Sequence, residues 1–215
     1  MSSTGTYGGV SASDRRAERR ERLLQACVNV VGDQGWQAAS VRNICSEARL
    51  NPRYFYENFS GLDELLVSVF DQTVGQAVNA IFTEIAIAPP KPAEQAHALF
   101  ETFLHEMTAD PRKARLAFTE AMGSEALMHR RVFALQQLVE LVAHQAMQHY
   151  PDSGLSQHQA EINAHLLVGG MIEAVAATVE GRLEATQEQL AVSLTRAYMA
   201  AYAPDLTGGL RPEAP

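Results

Sequence analysis

Apolar residues recur along this chain at intervals of three and four, and no segment shows the period-two alternation of a half-buried strand. Leu23, Cys27, Val30 and Val31 share one face of a helix predicted over 14–34. Gly35 stands where a left-handed residue closes such a helix, and Trp36 is placed to cover the bundle that follows. Val41, Ile44, Cys45 and Ala48 form a second, shorter stripe behind Ser40, whose hydroxyl can accept from a free first-turn N–H. Asn51-Pro52 opens a third helix through residue 59, a capping amide followed by a ring pre-set for the first helical position. About three residues separate the second and third helices, which forces the sharp crossing of a helix-turn-helix.

Downstream, residues 60–63 read as a capping box with Asp63 at the third helical position, opening a long helix to residue 87. That helix carries Leu62, Leu65, Leu66, Val69 and Phe70. The Pro-rich stretch 88–92 is the clearest break. Further helices are predicted over 93–109, 111–121, 124–149, 156–181 and 186–203. The fold class is therefore all-α. Residues 1–13 and 204–215 lack periodicity and are expected to be a disordered N-terminal arm and a flexible tail.

The net charge of −8 argues at first sight against a nucleic-acid partner. Its distribution changes that: residues 1–65 carry eight arginines against eight acidic residues, so the excess of acid lies downstream. DNA binding needs a local basic face, and Arg15, Arg16, Arg19, Arg20 and Arg22 supply one. The alternative is a solvated charge run, since Asp14, Glu18 and Glu21 stand at pairing distance along the helix.

On the third helix, Phe55 and Phe59 fall on one face and Arg53 and Glu57 on the opposite one, with Tyr54 and Tyr56 flanking. Arg53 can donate to guanine O6 and N7, and Tyr54 can reach a thymine methyl or a phosphate. Glu57 can accept from cytosine N4 or orient Arg53 as its i+4 partner. Ser40 and Arg42 open the supporting helix, whose free N–H groups favour an anion.

The series Leu24…Gly35-Trp36…Ser40-Val41…Ile44…Ala48…Asn51…Phe55-Tyr56…Phe59…Leu65 resembles the N-terminal domain of TetR-family transcriptional repressors, over residues 18–66. The resemblance implies a helix-turn-helix DNA-binding domain at 14–66 and a helical effector-binding and dimerisation domain at 67–203. It implies a homodimer on a palindromic double-stranded operator, released by a small hydrophobic or amphipathic effector. The expected DNA-facing set is Arg16, Arg19, Ser40, Val41, Arg42, Asn51, Pro52, Arg53, Tyr54, Tyr56, Glu57 and Asn58, with Tyr56 matching a family phosphate donor. Three positions depart from the family: Arg49 replaces the usual turn glycine, Asn58 a frequent histidine, and Leu62 a common lysine.

The candidate liners of an effector pocket are Phe100, Phe103, Leu104, Met107, Phe118, Met122, Phe133 and His165, although methionine and phenylalanine on helical stripes are more often ordinary core than ligand wall. Arg112, Lys113 and Arg115 are either a solvated cluster or the holder of an anionic head group. Small residues among larger apolar ones mark the last two helices, and two glycines inside a helix cost about 1 kcal/mol each relative to alanine. Close helix–helix approach compensates, either by finishing the chain's own core or, as the resemblance implies, in a homodimer interface of Ile162, Leu166, Gly169, Gly170, Leu190, Leu194, Ala197, Tyr198 and Ala201.

The seven histidines form no H-E-x-x-H motif and no zinc-like grouping with cysteine, and no nucleophile elbow, phosphate loop or dinucleotide motif is present. No enzymatic activity, cofactor, metal or membrane partner is expected. Two lone cysteines make no disulfide framework, the N-terminus lacks a signal pattern, and no run approaches the roughly 20 apolar residues of a membrane span, so a cytoplasmic location is expected. An enzyme, or a helical interaction module without DNA binding, is the alternative reading, and salt-dependent binding to operator DNA discriminates.

Overall fold

A computed structural model describes residues 11–119, 124–151 and 153–203. These residues form α1 (Ala12–Gln34), α2 (Val41–Ala48), α3 (Pro52–Tyr56), α4 (Leu62–Ile87), α5 (Pro92–Thr108), α6 (Pro111–Ala114), α7 (Glu125–His149), α8 (Gln157–Val179) and α9 (Gln187–Tyr202), with no strand among them. A 3-10 turn at Trp36–Ala38 follows α1, and a π-helical turn at Arg115–Thr119 follows α6.

The caps behave as their chemistry requires. The Ser40 hydroxyl accepts from Asn43 N (3.1 Å), and the Asn51 amide oxygen accepts from Arg53 N (2.9 Å). Gly35 closes α1 at φ 81°. Helix α1 starts two residues before the predicted Asp14, because Ser11 and Asp14 complete a capping box. Residues 11–13 of the expected disordered arm are therefore ordered; residues 1–10 and 204–215 lie outside the described residues. At α4 the predicted box is shifted. Gly61 is the cap residue, Glu64 accepts from both the backbone N and the hydroxyl of Ser60 (2.7 Å each), and these bonds hold its carboxyl below the usual range. Asp63 instead accepts from the Ser124 hydroxyl (2.7 Å), which itself caps α7.

Three apolar cores organise the chain. The first joins Leu23, Leu24, Cys27 and Val31 of α1 with Ile44, Cys45, Phe55 and Phe59, then takes Leu65, Leu66, Val69 and Phe70 from α4. It also takes Leu116, Ala117 and Leu127 from beyond the N-terminal unit. The second lies among α5, α7, α8 and Tyr202, and the third gathers Ala77, Leu104, Met107, Val175, Leu190 and Ala191. Phe118, in the π-helical turn, packs against all three. Burial pushes the Cys27 thiol up to about 12 and raises that of Cys45, so neither is a thiolate at neutral pH.

By length and average composition α4 and α8 are apolar enough to cross a membrane, although neither contains an unbroken run of about 20 apolar residues. Polar residues such as Asp71, Gln72 and Asn79 interrupt any apolar run in α4, but its average remains high. Both helices turn their inner faces into the cores.

Candidate nucleic-acid interface

Helix α3 is a single short turn held by its apolar side. Phe55 and Phe59 are buried, with ring centroids 5.8 Å apart, and they seat α3 on α1 and α2. The opposite side is open: Arg53 is 83% exposed and Tyr56 63% exposed. Arg53 Nε donates to Glu57 Oε1 at 3.0 Å. That bond occupies the Nε and leaves both terminal nitrogens without a partner among the described residues. Asn51, Pro52 and Arg42 are exposed at the same surface, with Ser40 and Val41 half-buried at the start of α2.

The arginines of α1 do not form the solvated run that helical spacing suggested. Arg16 donates to the Glu57 carbonyl and, at 3.4 Å, to Asn58 Oδ1. Arg19 lies 3.8 Å from Glu57 Oε2 and stacks 4.6 Å from the Tyr54 ring. Arg20 covers the Phe59 ring at 5.0 Å. Asn58 Nδ2 donates to the Tyr54 carbonyl (2.7 Å). Arg16, Arg19, Tyr54, Glu57 and Asn58 thus form one brace across the end of α3, and Asn58 spends its amide on the backbone of its own helix. Sequence reasoning missed this brace because its partners lie about 40 positions apart.

Arg49 ends α2 in the left-handed region (φ 53°, ψ 44°), the one non-glycine with positive φ among the described residues. Its neighbour carbonyls are covered: Arg22 Nη2 donates to Ala48 O (2.5 Å) and approaches Arg49 O at 3.4 Å. Arg22, not among the expected site residues, is a side-chain cap for the helix-turn-helix.

The expected effector residues separate. Phe100, Leu104 and Met107 are buried in the second and third cores, and Phe103 packs against both. Phe118 joins them at the junction. Phe133 and His165 do not belong to this interior. Phe133 is 53% exposed under the Arg130 guanidinium (5.4 Å), because α7 turns Leu135, Leu138 and Val139 inward instead. His165 is exposed on α8 between Ile162 and Leu166. Met122 lies outside the described residues. A cleft of about 670 Å³ opens elsewhere, between the end of α4, α5 and α9, with Ile87, His97, Glu101, Val192 and Arg196 on its walls.

The expected dimer residues also divide. Ile162, Leu166, Gly169 and Gly170 form an exposed strip on α8, and Ala197 is exposed on α9. Leu190, Leu194, Tyr198 and Ala201 turn into the protein's own cores, Tyr198 stacking on Phe100 and Tyr202. Their 3–4 spacing marks an apolar face but not which neighbour it meets.

A short exposed helix on a braced support, followed by a bundle of six helices, is a shape found in solved structures. The chain superposes on a TetR-like transcriptional regulator from Rhodococcus sp. RHA1 with TM-score 0.70 and 22% identity, over 87% of this chain and 97% of that one. The fold is that of TetR-like transcriptional regulators. Two further structures share it. The fatty acid degradation regulator FadR from Bacillus halodurans matches with TM-score 0.72 and 19% identity, covering 90% of this chain and 96% of that one. FadR from Bacillus subtilis, solved in complex with stearoyl-CoA, matches with TM-score 0.69 and 15% identity, covering 85% and 97%. No protein-family model matches the chain. In this TetR-like fold α2 and α3 are the helix-turn-helix pair.

Proposed function

We propose that the chain is a cytoplasmic, ligand-responsive regulator of the TetR family, a repressor that binds a palindromic operator as a homodimer. The carrying observation is Arg53. A guanidinium left outward on a recognition helix, with its inner edge held by Glu57 at 3.0 Å, is pre-oriented for a base edge in the major groove. Tyr54, Tyr56, Arg42 and the N-terminus of α2 surround it with phosphate donors. The exposed strip Ile162, Leu166, Gly169 and Gly170 on α8 supports pairing of two copies, which sets two α3 helices on half-sites about one helical turn apart. A small hydrophobic or amphipathic effector entering the C-terminal unit releases the DNA; the stearoyl-CoA bound by the Bacillus subtilis neighbour supports that class.

The test is a gel shift on DNA upstream of the chain's own gene, at graded salt. Binding should weaken steeply with salt, and Arg53→Ala should cost about 1–3 kcal/mol of specific binding while relaxing preference between matched and mismatched sites. A mutant indistinguishable from wild type on both sites contradicts the assignment.

A further inference from the structure

Arg131 occupies a position on α7 where an apolar residue is expected. At 100° per residue, Leu127, Ala134, Leu135 and Leu138 all lie within about 60° of it around the helix. These four belong to, or pack against, the first and second cores. The Arg131 side chain therefore leaves α7 toward the interior. Its Nε is enclosed and has no hydrogen-bond partner. Burial lowers its pKa, and no carboxylate among the described residues acts against that effect. The adjacent Arg130 shows the ordinary arrangement: Asp71 of α4 takes its Nε at 2.6 Å.

Enclosing part of a guanidinium without a partner is unfavourable. A chain keeps such a group where the partner comes from outside, and desolvated ionisable residues cluster at functional sites for that reason. The basic residues that the sequence offered for an anion are engaged elsewhere. Arg112 is held by Asp110 and Asn29, and Lys113 by Gln76. The segment before α7 contains the π-helical turn, a geometry frequent at functional sites, and its Phe118 reaches all three cores.

We propose that Arg131 is the anion-binding residue of the effector site, taking the carboxylate or phosphate of an amphipathic ligand whose apolar part runs along the Leu135 and Leu138 side of α7. The inference rests on the reading of the chain as an effector-responsive regulator and specifies the ligand's charge. The shared chemistry is an anionic head on an apolar chain.

The full-length protein is titrated with oleate, oleoyl-CoA and, as the uncharged control, oleyl alcohol, each below its micellar concentration, by displacement of a fluorescent fatty acid. Wild type should bind at least one of the two anionic ligands tenfold or more tighter than the alcohol. Preference for oleate identifies a carboxylate, and preference for oleoyl-CoA a phosphate. Arg131→Met should abolish the preference, and Arg131→Lys should keep part of it. The ligand-free melting temperature gives a second readout: Arg131→Met should melt at or above wild type, because an enclosed N–H without a partner has been removed. The proposal is overturned if the alcohol binds as well as the anions, if neither anion binds wild type, if Arg131→Met leaves anion affinity unchanged, or if it lowers the melting temperature. Operator binding without ligand, scored separately by gel shift, depends on Arg53 and not on Arg131, so failure of the anion site is distinguishable from failure of the regulator reading.

Discussion

Gly32 of α1 and Arg112 of α6 pack so closely that a β-carbon on the glycine would stand 2.4 Å from the Arg112 Cβ and 2.8 Å from its Cα. Beside this contact Arg112 donates to Asn29 (3.0 Å), and Asn29 donates to Glu47 on α2 (2.8 Å). The C-terminal helices thus reach the helix-turn-helix by a glycine contact and a chain of polar groups, in addition to the side chains they lend to the first core. Gly32→Ala cannot be absorbed by a rotamer change, because the obstacle includes backbone. It should cost about 1–3 kcal/mol, read as a lower melting temperature in a thermal scan. An unchanged melting temperature would contradict the close approach.

Arg49 stands in the left-handed region at the end of α2, where a side chain is disfavoured by roughly 1 kcal/mol and glycine is not. The contacts made by Arg22 go to backbone carbonyls and survive a substitution. Arg49→Gly should therefore stabilise the protein, by about 0.5–1 kcal/mol, with a raised urea midpoint at constant slope.

Glu57 holds Arg53 at 3.0 Å and lies 3.8 Å from Arg19. With Arg53 so exposed, the pair contributes under about 1 kcal/mol to stability. Its role is orientation. Glu57→Gln should leave unfolding nearly unchanged yet reduce discrimination between matched and mismatched operators several-fold in a competition gel shift. Retained discrimination would assign Glu57 to a direct base contact or to none.

Asp110 caps α6 and accepts from the Arg112 side chain at 2.9 Å, which holds its carboxyl below the usual range. A folded-state pKa lowered in this way contributes stability above the unfolded value of about 3.9, and that contribution is lost as pH falls through the lower folded value. The stability gap between wild type and Asp110→Asn should be present at neutral pH and close on acidification below about pH 4. Urea unfolding at a series of pH values checks this; a gap independent of pH would show that the charge is not responsible.

Much of the helix-turn-helix is legible in one dimension because its determinants are local. Ser40 and Asn51 cap within three residues of themselves, and the stripe Val41, Ile44, Cys45 and Ala48 repeats at the pitch of one helix. The alternation of Phe55 and Phe59 against Arg53 and Glu57 is likewise a matter of 100° steps. What spacing cannot supply is the identity of a distant partner. The arginines of α1 looked pairable with Asp14, Glu18 and Glu21, yet Arg16 and Arg19 turn to Glu57 and Asn58. Phe133 looked like pocket wall and is outside, while the Nε of Arg131, which spacing did not single out, is enclosed. Helical periodicity orders residues around an axis, but only packing decides which side of that axis is the interior.

Phe118 gives the molecule a property that its two-unit sequence layout hides. One ring lies against the core beneath the helix-turn-helix and against both cores of the C-terminal helices, while Leu116, Ala117 and Leu127 complete the first of these from downstream. C-terminal helices grafted from another protein of this fold would leave α1 to α3 missing part of their own floor. A working chimera must exchange these side chains as a matched set, so the chain behaves as a single casting and not as two parts bolted together.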